Sequence, residues 1–510
     1  MDESYAKIRQ IDEEIATLKQ RLLTLRNQRN RLAPISQLPV ELMAHIFRCS
    51  RRGSLTPLSL GSVSREWRQI TLDLPELWNS VDRALKLEHI PAYIARSKQR
   101  PLHISLIGFP SDLHSVLSKI GQELPRIQRL NIGRSSNSEN QELLSFGDPD
   151  WKNPASILEM LQFRGFRIPN GIMFSGHAPS LRYLTLYNCK LDWNSLPALP
   201  RLTNLHLRQP EHPISVDIFL KQLELMPSLD SITIKGALTG SRTPAPLPQY
   251  QLQHLTVIYA EEEGCVNVAQ MLQSLILPEM KHFSLYLKQE HPQDQLVLIT
   301  ALKHCFPISS SPLKFLAVKA RRGLTSYVIE CDDISTLLRF HYSLSTMRDV
   351  QSMCLHFNLE QIAHLRLDVI DVLLNQQNTA FWSLFKDSLE LEKLTVRNDA
   401  LQMLAEYLDD ITIESPDDPS SPLDPDTIPF PRLQELLVRR GRYPLEPQIP
   451  FLNSIGGYLG YRRQNGVMLE RMVVCSKSSI PDYLQDRLKA LVQRFQRASD
   501  DVKDKVDDIA

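Results

Sequence analysis

The 510-residue chain lacks any surplus of charge: 58 Lys and Arg stand against 58 Asp and Glu. Zero net charge removes the global attraction that draws strongly basic proteins to nucleic acid or anionic membranes. Such a partner would have to be read from local asymmetry. Cysteine is sparse and never paired in sequence. Cys49, Cys189, Cys265, Cys305, Cys331, Cys354 and Cys475 are far apart, with no C-x-x-C. That argues against a disulfide framework or a zinc knuckle, and for scattered buried thiols in a reducing compartment. No window approaches the roughly 18 uninterrupted apolar residues of a membrane-spanning helix. The charged start shows no basic tip followed by an apolar run. The expectation is a soluble intracellular protein of the cytoplasm, the nucleus or both, with no membrane partner.

The signatures of common chemistries are missing as well. There is no G-x-x-x-x-G-K-[ST] phosphate loop, no G-x-G-x-x-G after a strand and no G-x-S-x-G elbow. The fourteen histidines include no H-E-x-x-H. Gly456-Gly457-Tyr458-Leu459-Gly460 is the only glycine cluster, and without a flanking Lys it reads as a turn. Cys331-Asp332-Asp333 and the isolated histidines read as ordinary surface or core residues. No catalytic residue, metal ligand or cofactor is assigned.

What is present begins with a helix over residues 2–32. Ile8, Ile11, Ile15, Leu18, Leu22, Leu25 and Leu32 are spaced 3 and 4 apart, with Arg29 in the next seam position before Leu32. An average of 3.5 draws a narrow stripe, the geometry of a coiled-coil seam. Two readings stand: self-association through residues 8–32, or a helix folded back on its own protein. Pro34 ends it.

Residues 35–81 form a second unit. Leu38-Pro39 opens it, with Ser36 as the expected helix cap. Leu42, Met43, Ile46 and Phe47 then repeat at helical spacing. RCSRRGS reads as a turn, residues 56–72 as a second helix or bent pair, and Leu77-Trp78 closes the unit. So small a bundle buries little apolar surface alone, which is a reason to expect a partner completing it. The ordered set Leu38-Pro39-Val40-Glu41-Leu42, Ile46-Phe47 and Val63-x-x-x-Trp67 resembles the F-box family. The following Leu74-Pro75-x-Leu77-Trp78 is common after F-boxes, notably in mushroom-forming fungi. The basic RCSRRG segment departs from the family, where an apolar step is usual. The resemblance implies docking to a Skp-type adaptor, and through it a cullin, by Leu38, Pro39, Leu42, Ile46, Leu58, Val63 and Trp67. Some of these, Trp67 above all, could instead pack only within the module.

From residue 100 a pattern L-x-x-L-x-L returns twelve times, among them PRIQRLNI (125–132), PSLRYLTL (179–186), LQHLTV (252–257), PLKFLAV (312–318) and LERMVV (469–474). Each L-x-L reads as a short strand, with helical runs such as Val216–Leu225 and Leu296–His304 between. The fold expected is α/β: a helix and small all-α bundle, then an irregular leucine-rich-repeat solenoid over 100–478. The 49 residues from 313 to 362 hide an element, with Ser326–Cys331 a candidate strand. Residues 134–154 and the acidic, Pro-rich 414–429 read as loops. Pro481–Arg497 reads as a helix capping the open end, and 499–508 as a fraying tail.

In such repeats the residues around L-x-L line one sheet face. Those columns hold ten basic residues: Arg129, Arg164, Arg208, Lys235, Lys319, Arg366, Lys393, Arg397, Arg439 and Arg471. Against them stand Asp368 and Glu435, so ten minus two gives +8. Tyr183, Tyr187, Tyr286 and Phe315 interleave, a mix common at interfaces. The substrate-contact set read from this is Arg164, Tyr187, Arg208, Lys235, Tyr286, Lys319, Arg397 and Arg439, facing an acidic or phosphorylated protein segment. The bland alternative is that exposed strand positions tolerate Lys and Arg, and that loop 414–429 neutralises part of the face. The thin stripe and zero net charge disfavour nucleic acid. The reading is a substrate receptor of a Skp–cullin–F-box ubiquitin ligase, working by proximity. Its rival is a non-degradative repeat scaffold, and a third class is an enzyme with an unrecognised site.

Overall fold

The computed structural model describes residues 2–50, 56–83, 85–108, 114–133, 143–145, 152–168, 173–240, 248–262, 265–287, 292–305, 313–321, 324–331, 334–342, 354–355, 359–370, 381–385, 388, 390–413, 428–439, 449–475 and 480–498. Of the expected turn RCSRRGS (48–54), Arg48, Cys49 and Ser50 are helical instead, and 51–54 lie outside these residues, as do the loop residues 134–142, 146–151 and 414–427 and the tail from 499.

Helix α1 (Asp2–Arg31) forms over the heptad run. Its stripe residues, Ile8 to Leu32, are 42–76 % exposed, so no described part of the chain folds over them. A 3-10 turn, Pro34–Gln37, follows and takes in Ser36. Ser36 therefore caps nothing: helix α2 (Val40–Ser50) starts past Pro39, whose carbonyl accepts from the Met43 N–H. The second stretch is the bent pair α3 (Pro57–Gly61) and α4 (Arg65–Asp73). Thr56 and Ser59 form a capping box, and the Ser64 hydroxyl accepts from the Trp67 N–H at 3.1 Å. These caps satisfy amide groups that a short helix otherwise leaves bare.

The chain divides into two compact units, Met1–Thr185 with Ser195–Leu199, and Leu186–Asn194 with Pro200–Ala510. In the first, parallel strands β1 (Ser80–Asp82), β2 (Leu102–Ile107), β3 (Ile127–Gly133) and β4 (Met160–Arg164) pair in chain order. Helices α5 (Ile90–Arg96) and α6 (His114–Gln122) connect them. Arg126 ties one connection down, donating to the Ile94 and Arg100 carbonyls at 2.9 and 3.0 Å. A cation there sits at the negative end of α5.

The division falls within β5 (Tyr183–Tyr187). The second unit opens with parallel strands β6 (Asn204–Arg208), β7 (Ser231–Lys235), β8 (Val257–Glu262) and β9 (His282–Leu287). It closes with β13 (His364–Ile370), β14 (Lys393–Asn398), β15 (Glu435–Arg439), β16 (Leu469–Cys475) and β17 (Val492–Ala498), again parallel. Helices α7 (Val216–Glu224), α8 (Cys265–Gln273) and α9 (Pro292–Cys305) pack in succession. So do α10 (Asp399–Ile413), α11 (Ile449–Gln464) and α12 (Asp482–Leu491). The L-x-L residues are buried, as at Leu205/Leu207, Ile232/Ile234, Phe283/Leu285 and Leu394/Val396. Several strands end on a left-handed residue, Asn188, Gln209, Gly236 or Asn398, which turns the chain away from the sheet.

Four expectations change. The hidden element is a three-strand insert. β9 pairs not with the next strand β10 (Leu313–Arg321) but with β12 (Ile334–Tyr342), and antiparallel β11 (Leu324–Cys331) bridges the two. The strand anticipated at 326–331 is thus present, but the repeat at 312–318 neighbours β13 instead of β9. LQHLTV was phased three residues early: Ile258 and Ala260 align with Ile232 and Ile234, so the motif starts at Leu255. The glycine cluster is no turn. It lies inside α11, where a Cβ on Gly456 would meet Arg487 and Leu488 of α12 at 3.5–3.7 Å, an ordinary contact, and one on Gly457 would meet nothing within 4 Å. The capping helix stops at Leu491, because residues 492–498 pair with β16, whose bare edge amides outweigh local helix preference.

Arg462, 1 % exposed, pins α11 to the segment before β15. Its guanidinium donates to the carbonyls of Phe430, Pro431 and Leu433 and to Tyr458 Oη. Arg462→Leu removes the guanidinium donors from the Pro431 and Leu433 carbonyls, while Phe430 keeps the Leu433 N–H, and should cost about 1–3 kcal/mol. A urea midpoint equal to that of the unaltered chain would refute this.

Candidate functional site

The helical module sorts its apolar residues into two sets. Met43, Ala44, Phe47, Leu60, Ile70, Leu74, Leu77 and Trp78 are buried. Leu38, Val40, Leu42, Ile46, Leu58 and Val63 are 37–56 % exposed. On α2 the division is geometric. Leu42 and Ile46, one turn apart, share the outer face, while Met43 and Phe47 turn inward. Six of the seven adaptor candidates (Leu38, Pro39, Leu42, Ile46, Leu58, Val63) therefore reach the surface. Trp67 is half-buried, its ring 4.9 Å from Phe47, so it serves the module's own core on at least one side. Val40, 56 % exposed, was missed by the sequence reading, although it stands inside the opening motif. Among the described residues, 25 large apolar side chains are exposed, and 16 of them fall within the first 63 residues. That concentration marks the amino-terminal part as the sticky one.

Trp78 closes the module from behind. It is 2 % exposed, and its Nε1–H donates to the Thr71 carbonyl at 2.8 Å. Its ring meets Tyr93 edge-on at 4.9 Å, with the Arg96 guanidinium 4.5 Å from its centre. Tyr93 and Arg96 belong to α5, so this residue fastens the bundle to the first strands. Burial pushes the Tyr93 hydroxyl up to about 12, aided by Asp82. A cleft of about 310 Å³ opens beside Trp78, between Leu58, Gly61, Arg68 and Arg96. Arg48 reaches from α2 to Glu76 at 2.7 Å. Burial alone would raise the Glu76 carboxyl, but its own backbone N–H and Arg48 outweigh that and hold it below the usual range.

The sheet face can be read along its rows. In the second unit Arg208, Lys235, Glu261 and Tyr286 occupy one register row, and Lys319, Asp368, Arg397 and Arg439 another. Tyr187 lies on β5, half-exposed, and the neighbouring Asn188 N–H donates to the Arg208 carbonyl at 2.9 Å. Arg164 belongs to the first unit, facing Gly133, where a Cβ would come within 2.4 Å of its own. The side chain of Lys319 lies outside the described set. All the substrate candidates in the second unit thus share the C-terminal ends of their strands. With Glu261 counted, ten basic residues stand against three acidic ones, so the surplus falls from +8 to +7, and part of it is engaged in ion pairs. Lys235 pairs with Glu261 at 2.9 Å, Arg397 with Asp368 at 3.7 Å, and Lys393 and Arg471 both with Glu435, at 3.5 and 3.4 Å. Glu261 escaped the column count because of the early phasing of its repeat. Burial, with Arg208 beside it, lowers His206; burial, with Glu261 beside it, raises Tyr259. Arg208 remains exposed.

Among the described residues no three His, Cys, Asp or Glu side chains are grouped to hold a metal ion, and no helix is long and apolar enough to cross a membrane. Burial pushes the Cys305 and Cys354 thiols up to about 12, which leaves them poor nucleophiles.

The small helical bundle keeps an apolar outer face. Residues 35–84 match the F-box-like family model, so the chain carries an F-box-like domain. No curated protein matches the chain.

The two apolar sets make opposite predictions. Trp78→Ala removes a buried aromatic and should cost about 3–5 kcal/mol, whereas Leu42→Ala, on the outer face, should stay within about 0.5 kcal/mol. Thermal unfolding of both variants checks this; equal losses would contradict the division.

Proposed function

We propose that the chain is the substrate-recognition subunit of a Skp–cullin–F-box ubiquitin ligase. The F-box-like domain docks onto a Skp-type adaptor and through it a cullin, and the strands beyond it hold a protein target. The observation that carries this reading is the coincidence of the family match with the exposed Leu38, Val40, Leu42, Ile46, Leu58 and Val63. Apolar side chains held out on a rigid bundle are what a helical partner covers. The parallel strands with buried L-x-L positions support an irregular leucine-rich-repeat solenoid as the target-holding part. No group on the chain need be catalytic, since holding a lysine near a charged thioester raises its effective concentration. The setting is the cytoplasm, the nucleus or both.

Co-purification tests the docking. Adaptor and cullin should be recovered together and lost on Leu38→Ala/Pro39→Ala. Adaptor without cullin would favour the non-degradative scaffold instead.

The target segment we assign to the sheet face is acidic or phosphorylated, and Arg208 is its foremost contact, because Lys235 and Arg397 already face carboxylates. Arg208→Glu should weaken target capture, and reversal of Arg208, Lys235 and Arg397 together should abolish it with adaptor binding intact. Undiminished capture by the triple variant rules out this face.

A further inference from the structure

We infer that α1 joins the same helix of a second copy of the chain in an antiparallel, two-stranded coil, with Ile15 of one copy opposite Leu18 of the other. The inference stands apart from the docking reading, because it uses neither the F-box-like match nor the sheet face. Its first support is the exposed stripe: Ile8, Ile11, Ile15, Leu18, Leu22 and Leu25 are 42–58 % exposed on a helix of 30 residues. An isolated helix with this seam bare gains nothing from its apolar face, whereas two such helices bury each other's.

The side chains then choose direction and register. Taking Ile8 as position a, the a positions hold Ile8, Ile15, Leu22 and Arg29, and the d positions Ser4, Ile11, Leu18 and Leu25. Antiparallel helices set a against d, so their possible registers differ by steps of seven residues. With Ile15 opposite Leu18, Ile11 meets Leu22 and Ile8 meets Leu25. All six apolar layers close, and each joins one isoleucine to one leucine. Arg29 meets Ser4 at either end of the coil, where its head can reach water. The flanks agree. At g, Glu14 faces Arg21 and Lys7 faces Gln28; at e, Asp12 faces Lys19 and Tyr5 faces Arg26. No like charges meet, and the Arg26 guanidinium can lie over the Tyr5 ring.

The alternatives are worse. One step along, with Ile15 opposite Leu25, Lys19 meets Lys19, Arg21 meets Arg21 and Ile11 is set against Arg29. One step the other way, with Ile11 opposite Ile15, Asp12 meets Asp12, Glu14 meets Glu14, Lys7 meets Arg21 and Leu22 is left opposite Ser4. A closed parallel pair has to be in register. It gains Lys7 with Asp12 and Glu14 with Lys19, but places Arg21 against Arg26 and Arg29 against Arg29 across the seam. It would also stack isoleucine at both a and d from Ile8 to Ile15, a pattern of trimers and tetramers. Apolar closure and charge thus select the same antiparallel register. The coil carries the carboxyl ends of the two helices, and the helical modules that follow them, to its opposite ends, about 45 Å apart along its axis.

Sedimentation equilibrium of the full chain should give the mass of two copies, and Leu18→Glu/Leu22→Glu should give one. Arg21→Glu decides the direction. In the antiparallel pair it sets a second carboxylate against Glu14 and should weaken association several-fold at low salt. Glu14→Arg/Arg21→Glu restores opposite charges at that contact and should recover the original affinity. A parallel pair behaves in the reverse sense: Arg21→Glu relieves the contact with Arg26 and tightens it, and the added Glu14→Arg then weakens it by placing a guanidinium against Lys19. A one-copy mass at about 100 μM, a mass of three copies or more, association of Arg21→Glu that is unchanged or tighter, or no recovery in the double variant would overturn the proposal.

Discussion

The amino-terminal unit depends on the burial of one indole. Trp78 fills the back of the helical module, satisfies its N–H on the Thr71 carbonyl and takes Tyr93 and Arg96 of α5 against its two sides. Strand β1 begins only two residues later, and its Ser80 is in register with His103. No linker separates the helical module from the first strands, so neither can swing independently of the other. A module too small to bury much on its own is completed at the rear by its own chain, while Leu42, Ile46, Leu58 and Val63 stay exposed. Removing the indole would thus loosen the orientation of the module as well as its core.

What the sequence showed most clearly was periodicity. The 3.5-residue stripe of α1, the inner and outer faces of α2 and the buried L-x-L pairs all follow from apolar spacing, because burial is the largest force acting on those positions. It fell short where tertiary contacts overrule local preference. Residues 492–498 have a helical spacing, yet the open edge of β16 recruits them as strand, since its unpaired amides are costlier than a lost helical turn. Gly456 and its neighbours suggested a turn, but they lie in the middle of a helix that packs against α12. The reversed order of β10, β11 and β12 could not be read at all. Strand identity is local, whereas the choice of neighbour is not.

The sheet face shows a similar limit in its charges. Summing a column counts each residue alone, but neighbouring parallel strands lie about 4.8 Å apart, so opposite charges in adjacent strands find each other. Lys235 with Glu261 and Arg397 with Asp368 are such pairs, and Asp368, 4 % exposed, is further held by the Asn398 amide at 2.5 Å. In both pairs the carboxylate is largely buried and the cation partly exposed. Their effect is on the field: they set carboxylates among basic residues that stay in excess, as where Arg208 neighbours Lys235 and Arg397 neighbours Arg439.

The exposed apolar residues complete the picture, because they are not spread evenly. Most belong to α1 and the helical module, two elements joined by the short turn at Pro34. Neither element can hide its stripe against itself: one is a single long helix, the other a bundle of helices of 11, 5 and 9 residues. The parallel sheet, by contrast, covers its L-x-L residues with successive helices and connections and so needs no partner for its core. The exposed apolar side chains are therefore concentrated at the amino-terminal end, while the register rows of the second unit carry polar and charged ones.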